Sequence, residues 1–192
     1  MVKRLIIGVS GASGAPLAVE LLNQLRMCHS EIETHLVVTR GGEMTIQQET
    51  GMALDELCAL ATVCHENSSI GATIASGSFK TMGMIIIPCS MKTVAGIVSG
   101  YSDSLLLRAA DVCLKEHRKL VLAARESPLS TIHLRNLYDA SQLGAIILPP
   151  MLTYYHHPQN IEDCTRQTVN RILAQFDLDE GAYQWEGMNE TV

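Results

Sequence analysis

The chain has 192 residues, 47% of them hydrophobic and 18% charged, with a formal net charge of −6. That length sets one domain with room for a large core as the expectation, and the acidic balance argues against a broad nucleic-acid footprint, which needs clustered Lys and Arg. No apolar run reaches membrane-spanning length, Gly83 to Ser90 being too short, and Lys3-Arg4 leads into a strand rather than a signal-peptide core, so no membrane association and a cytoplasmic location are expected.

Arg4–Val9 reads as a first strand and Pro16–Met27 as a helix with Leu17, Leu21, Leu22 and Leu25 on one side. Between them, Gly8-Val-Ser-Gly-Ala-Ser-Gly14 is a glycine-rich turn of the kind that points backbone N–H groups at a phosphate, with Ser10 and Ser13 adding hydroxyls. Thr34–Val38 is a second strand, followed by helical patterns at Glu43–Glu49 and Leu54–Ala61. Ala75-Ser-Gly-Ser78 is a loop. Met84–Pro88 is a third strand, then helices at Lys92–Val98 and Leu105–Lys115. Leu120–Ala124, a helix at Ile132–Gln142, the strand Ala145–Leu148 and a last helix at Ile161–Phe176 complete the pattern. The strands are nearly continuous in Ile, Val and Leu, as strands covered on both faces are. Alternation of this kind predicts an α/β sandwich of three layers, a mostly parallel sheet between helices, over residues 1–192 with 177–192 as a tail.

Polar and small residues gather where strands end: Ser10–Ser13, Thr39-Arg-Gly-Gly42, Pro88-Cys-Ser-Met-Lys-Thr93, Arg125-Glu-Ser-Pro-Leu129 and Pro149-Pro150. Any one hydroxyl is better read as a helix cap, but the set reads as one crevice beyond the strand ends. Several alternatives lose ground here. A nicotinamide enzyme wants an acid at the end of strand two, where Thr39 and Arg40 stand; Arg40 suits a 2′-phosphate, so an NADP enzyme survives, without a Tyr-xxx-Lys pair. There is no GxxxxGK[ST] and no GxSxG. The six cysteines show no CxxC spacing and read as reduced, mostly buried thiols rather than zinc ligands, and Cys89 as a buried thiol rather than a nucleophile. Arg108, Asp111 and Lys115 share a helical face, either a phosphate clamp or a solvated stripe. Arg125-Glu126 is a salt bridge or an acid/base pair.

Taken together these segments resemble the UbiX-like flavin prenyltransferases, a family that includes proteins encoded in phenolic acid decarboxylase operons. The likeness runs from about Lys3 to Trp185. It is carried by Gly8-Val-Ser-Gly-Ala-Ser-Gly-Ala15, Glu33-Thr-His-Leu-Val37, Pro88-Cys-Ser-Met-Lys-Thr93, Arg108-Ala-Ala-Asp-Val112 and Leu114-Lys-Glu116. Arg125-Glu-Ser-Pro-Leu129, Ile132-His-Leu134 and Tyr155-His-His-Pro158 continue it. The resemblance implies a Rossmann-like or flavodoxin-like sandwich that binds FMN. It implies transfer of a dimethylallyl group from dimethylallyl phosphate to reduced FMN, at N5 and then C6, without a metal. The prenylated FMN passes to a UbiD-type decarboxylase.

Gly11, Ala12, Ser13 and Thr39 would hold the FMN phosphate and ribityl chain. Ser90, Met91, Lys92, Thr93 and Arg125 would hold the flavin end. Lys115, Tyr155 and Arg171 match family positions that grip the prenyl phosphate, with Ser13 able to protonate it. Glu49 and Glu126 match family carboxylates, Glu126 being the candidate for proton transfer in ring closure. Arg108 would support these carboxylates, and Trp185 would shield the site.

The family also implies a homododecamer with sites at subunit boundaries, which suits a chain with little charged surface. Departures fall at Thr39, usually Ser, at Gly41-Gly42, usually alanines, and at Leu152-Thr153-Tyr154 in place of a Pro-x-Phe. Two other readings stay open. One is a cysteine decarboxylase of the same superfamily, although its PxMNxxMW segment is missing. The other is a flavin-binding subunit without catalysis, for which Lys115, Glu126, Tyr155 and Arg171 would be needless.

Overall fold

The computed structural model describes residues 2–179 together with 183 and 187. Its strands are β1 (Lys3–Val9), β2 (Ile32–Val38), β3 (Val63–Glu66), β4 (Gly83–Cys89), β5 (Lys119–Ala124) and β6 (Ile146–Ile147). They form one sheet in the order β3-β2-β1-β4-β5-β6, with every pairing parallel. The helices are α1 (Ala15–Cys28), α2 (Arg40–Thr50), α3 (Leu54–Cys58), α4 (Met91–Ser99), α5 (Leu105–Lys115), α6 (Thr131–Gln142) and α7 (Ile161–Leu173).

Successive side chains of a strand point to opposite faces, so each strand feeds two cores. Leu5, Ile7 and Val9 of β1 pack with Leu17, Leu21, Leu22 and Leu25 of α1 and with Val169, Ile172 and Leu173 of α7. Ile6 lies on the other face, with Val94 and Ile97 of α4 and Leu106, Ala109 and Cys113 of α5. These strand residues are almost wholly buried, which accounts for their unbroken aliphatic character.

The chain order reverses between β1 and β4. The turn after β1 and the segment after β4 therefore lie side by side, and a crevice opens at that switch point. The opposite edge of the sheet is also defined. Gly83 and Lys119, the first residues of β4 and β5, pair there, and Lys119 Nζ donates to Gln175 O just past α7. The C-terminal ends of α5 and α7 thus lie at the strand starts, far from the glycine turn.

Three details differ from the sequence reading. Strand β3 escapes the pattern because it is a four-residue edge strand, half apolar and half exposed. Helix α2 starts at Arg40 rather than Glu43: Thr39, extended at φ −78°, caps it by accepting from Gly42 N at 3.1 Å. The cysteines are not all reduced and buried. Cys58, ending α3, and Cys64, in β3, are joined in a disulfide across the turn between them, and Cys28 is exposed. Cys89 and Cys113 are buried, and burial pushes both thiols up, Cys113 to about 12.

Candidate functional site

A cleft of about 1070 Å³ opens at the switch point, lined among others by Gly11, Thr39, Ser90, Met91, Lys92, Thr93 and Glu126. Its floor is a chain of hydroxyls. Ser10, 1% exposed, donates to Pro88 O at 3.1 Å and accepts from Ser90 N at 2.8 Å. Ser90 Oγ caps α4 by accepting from Thr93 N at 3.3 Å and lies 3.1 Å from Thr93 Oγ1. Ser10 is thereby a tie between β1 and β4 and not a ligand donor. On the neighbouring wall, Thr39 N donates to Val9 O at 2.9 Å. Gly11 meets Gly41 backbone to backbone: a Cβ on Gly11 would lie 2.9 Å from Gly41 Cα.

The glycine turn departs from the expectation of free N–H groups at a helix start. The N–H groups of Gly14 and Ala15 both donate to Glu49 Oε2, at 2.9 and 2.8 Å. A carboxylate from α2 sits where the positive end of α1 attracts an anion. Burial opposes ionisation of Glu49 most strongly. The Gly14 N–H, the Ser13 hydroxyl, the Ala15 N–H and the charge of Arg125 outweigh it and hold the carboxyl below its usual value. Ser13, Glu49 and Arg125 are thus one electrostatic group; they are not among the residues lining the cleft, but Ser13 and Arg125 lie close in the chain to its lining residues Gly11 and Glu126. The Arg125 main chain is fixed by its backbone N–H, which donates to Cys89 O at 3.0 Å. Glu126, exposed on the cleft wall, accepts from Ser127 N at 3.0 Å. Among the described residues no hydrogen bond occupies the N–H of Gly11 or Ser13, while Ala12 N donates to Ser10 O at 2.9 Å.

Of the predicted site residues only Gly11, Thr39, Ser90, Met91, Lys92, Thr93 and Glu126 line this cleft, and the prenyl-phosphate set lies elsewhere. Lys115 ends α5 and pairs with Glu116 at 2.6 Å. Arg171 lies exposed in the last turn of α7. Both belong to the strand-start edge, and a seven-residue strand spans roughly 20 Å. Neither side chain bridges that length. Arg108 pairs with Asp111 at 2.6 Å and donates to Ala75 O at 3.3 Å, so the α5 stripe is an ion pair rather than a clamp toward its own cleft. Tyr155, 44% exposed, stands beside His156 and Tyr183, with ring centroids 5.9 and 5.8 Å away. Trp185 lies outside the described residues.

Other lining residues escape the sequence reading. Asn67 accepts from Leu106 N at 3.0 Å, and so starts α5 at the cleft rim. His133, Arg135 and Asn136 of α6 line the cleft, as do Tyr101 and Asp103 between α4 and α5. His133 lies within the Ile132-His-Leu134 segment, while Asn67 and Asn136 carry no motif.

A glycine turn and hydroxyl-rich strand ends meeting at the reversal of a parallel sheet define a nucleotide-binding α/β domain of the doubly wound kind. Comparison with known proteins narrows this class. Residues 2–175 match the Flavoprotein family. The chain is 52% identical over 188 residues to flavin prenyltransferase UbiX of Escherichia coli K12, covering 96% of this chain and 99% of that protein. It superposes with TM-score 0.94 and 45% identity on AnUbiX in complex with FMN and dimethylallyl pyrophosphate, covering 98% of this chain and 100% of that one. A dodecameric FMN-dependent UbiX-like decarboxylase from Escherichia coli O157:H7 gives TM-score 0.93 and 50% identity, covering 96% and 100%. The chain belongs to the Flavoprotein family and, within it, to the UbiX-like flavin prenyltransferases.

Proposed function

We propose that this protein transfers a dimethylallyl group from dimethylallyl phosphate to reduced FMN, and that its product serves a UbiD-type decarboxylase. The observation that carries the reading is the cleft at the switch point, with the hydroxyls of Thr39, Ser90 and Thr93 in its lining and the Ser13–Glu49–Arg125 group close to its lining residues Gly11 and Glu126 in the chain. The residues fit FMN. The cleft is large enough for a flavin nucleotide, two strand ends line it with hydroxyls, and Gly11 and Gly41 bring main chain to its wall. Gly11, Ala12, Ser13 and Thr39 take the phosphate and ribityl chain, and Ser90 to Thr93 with Arg125 take the ring. Reduced FMN, when bound, supplies the nitrogen and ring carbon to which the prenyl group becomes joined.

The chain's own groups manage the leaving phosphate and the protons. As the allylic C–O bond breaks, the electron pair stays with the phosphate, and cationic donors aimed at it lower the barrier. Lys115 and Arg171 fill that role, with the Tyr155 hydroxyl as a neutral donor beside them. Ser13, beside Glu49, helps to protonate the leaving phosphate, its hydroxyl passing one proton on as it takes up another from solvent, and Glu126 accepts the proton released at the ring carbon.

Lys115 and Arg171 stand at the strand-start edge, so this scheme needs another copy of the chain. The reading is a homo-oligomer, a dodecamer, in which one subunit's cleft receives Lys115 and Arg171 from neighbours. Exposed apolar side chains support it: Ile132 and Tyr138 on α6, and Met151, Tyr154 and Ile161 between β6 and the start of α7, are each more than 60% exposed. Arg108, in the first turn of α5, is carried as the support of the carboxylates. We carry residues 1–192 as one FMN-binding domain with 177–192 as its tail. A cytoplasmic location is part of the reading, and cell fractionation checks it; among the described residues no helix is long and apolar enough to cross a membrane.

Anaerobic incubation with reduced FMN, dimethylallyl phosphate and excess chelator tests the proposal. A flavin heavier by one dimethylallyl group is expected by mass spectrometry. Strict dependence on Mg²⁺ would contradict the metal-free scheme. Tight FMN binding without turnover would support a flavin-carrying subunit instead.

A further inference from the structure

A second layer of charged groups stands behind the Lys115 ammonium, and the scheme above does not use it. Lys115 Nζ donates to Glu116 Oε1 at 2.6 Å, and Glu116 Oε2 lies 3.9 Å from Arg118 Nη2. The Arg118 side chain is 10% exposed. It donates to Phe79 O at 2.8 Å, to Thr81 Oγ1 at 3.4 Å and to Gly77 O. Arg108 Nε secures the other end of the same loop at Ala75 O. The Phe79 ring is held edge-on to His35, centroids 5.1 Å apart, under the Arg4 guanidinium at 4.5 Å. Residues 75–81 are therefore fastened along their length against the end of α5.

Gly77 faces the Lys115–Glu116 pair across this loop. A Cβ there would lie 2.2 Å from Glu116 Oε1 and 2.9 Å from Lys115 Nζ. The atoms a methyl group would meet are the far ends of the Glu116 and Lys115 side chains, so an alanine here would be accommodated by shifting that pair. The pair is thus backed on one side by main chain. The Lys115 hydrogen bond, then its charge, holds the Glu116 carboxyl below its usual value.

We infer that Glu116 is a positioning residue for the prenyl phosphate: seated against Gly77 and Arg118, it fixes the direction in which Lys115 is presented to a neighbouring copy's cleft. The inference rests on the proposed role of Lys115. A lysine on a free four-carbon stem loses rotamer freedom when it grips an anion, and less is lost if it is already held. An ammonium has three N–H donors, so one bond to Glu116 leaves two for phosphate. The carboxylate weakens the attraction for an anion, but Arg118 behind it leaves the trio with a net positive charge. Orientation is therefore gained without neutralising the site.

The test is steady-state kinetics on the assembled protein with dimethylallyl phosphate as the varied substrate. Glu116→Gln keeps the shape and removes the charge. Its KM should rise about 3–30-fold, with kcat and FMN Kd within about twofold of the starting protein. Gly77→Ala displaces the carboxylate without changing charge and should raise KM in the same way. In a Lys115→Met background, Glu116→Gln should add nothing, because its effect acts through Lys115. An unchanged or lowered KM in Glu116→Gln, with Lys115→Met impaired, overturns this inference alone. A further loss in the Lys115→Met background overturns it too. If Lys115→Met itself leaves KM unchanged, the role of Lys115 falls, and this inference with it.

Discussion

Replacing Gly11 by alanine tests whether the backbone contact at the switch point builds the cleft. The new Cβ would stand 2.9 Å from Gly41 Cα, 3.0 Å from its carbonyl carbon and 3.2 Å from its oxygen. Carbon atoms rest about 3.5–4.0 Å apart, so the turn must open by about 0.5–1 Å. Both partners are main chain, and neither can rotate aside. Overpacking of this kind costs about 1–3 kcal/mol, which for a chain of this length is about 2–12 °C in Tm. The movement separates Gly11 from the Thr39 wall, so it should also weaken FMN by about tenfold or more, given that misplacement by about 1 Å is felt strongly in a preorganised site. Differential scanning calorimetry and a flavin fluorescence titration read the two effects. Gly71→Ala is the control: nothing lies within 4 Å of its added Cβ, and its change should stay within about 0.5 kcal/mol. A Gly11→Ala protein with unaltered Tm and FMN affinity would refute the reasoning.

Glu49→Gln removes the charge that accepts from Gly14 and Ala15 N–H, and should cost about 0.3–1 kcal/mol at neutral pH. The Glu49 carboxyl is held low in the native state, so its contribution is present above the unfolded carboxylate value and disappears as pH falls through the native one. The cost of the variant should vanish in acid, as Tm against pH will report. His35 and His65 lie 2.9 Å apart, with His35 Nε2 2.8 Å from Glu33, and both imidazoles titrate below 6.5, chiefly through burial. The native state binds fewer protons there than the unfolded chain. Stability should be complete above about pH 6.5 and decline below it, and His35→Asn should flatten that slope. Glu126→Gln should leave FMN Kd unchanged while product formation falls by about 10²–10⁴-fold in single-turnover assays. Loss of FMN binding instead would mark Glu126 as a structural residue.

The architecture is legible wherever burial on both faces writes an unbroken aliphatic run, as at β1, β4 and β5. It is not legible at β3, because Val63-Cys-His-Glu66 sits at the sheet edge and alternates. Helix α2 reads three residues short in the sequence because Gly41 and Gly42 are poor helix formers; Thr39 capping and the Gly11 contact override that propensity. The cleft at the switch point is readable because hydroxyls and glycines collect at the ends of adjacent strands. The residues proposed for the prenyl phosphate are readable only as residue types. Lys115 and Arg171 each close a helix that returns to the start of the sheet, and only the topology shows that this is the wrong end for their own cleft. The occupation of the α1 start by Glu49 has no local signal, since Glu49 and Gly14 are joined by the fold alone.

Completion of each site between copies of the chain is measured most directly by subunit mixing. Ser13→Ala and Arg171→Ala chains, each inactive alone, are dissociated, mixed in equal amounts and reassembled. If Ser13 and Arg171 of one site come from different chains, about a quarter of the sites regain both residues, and activity should return to that level. If both act within one chain, no site is restored, and a mixture that stays inactive although co-assembled would contradict the shared site.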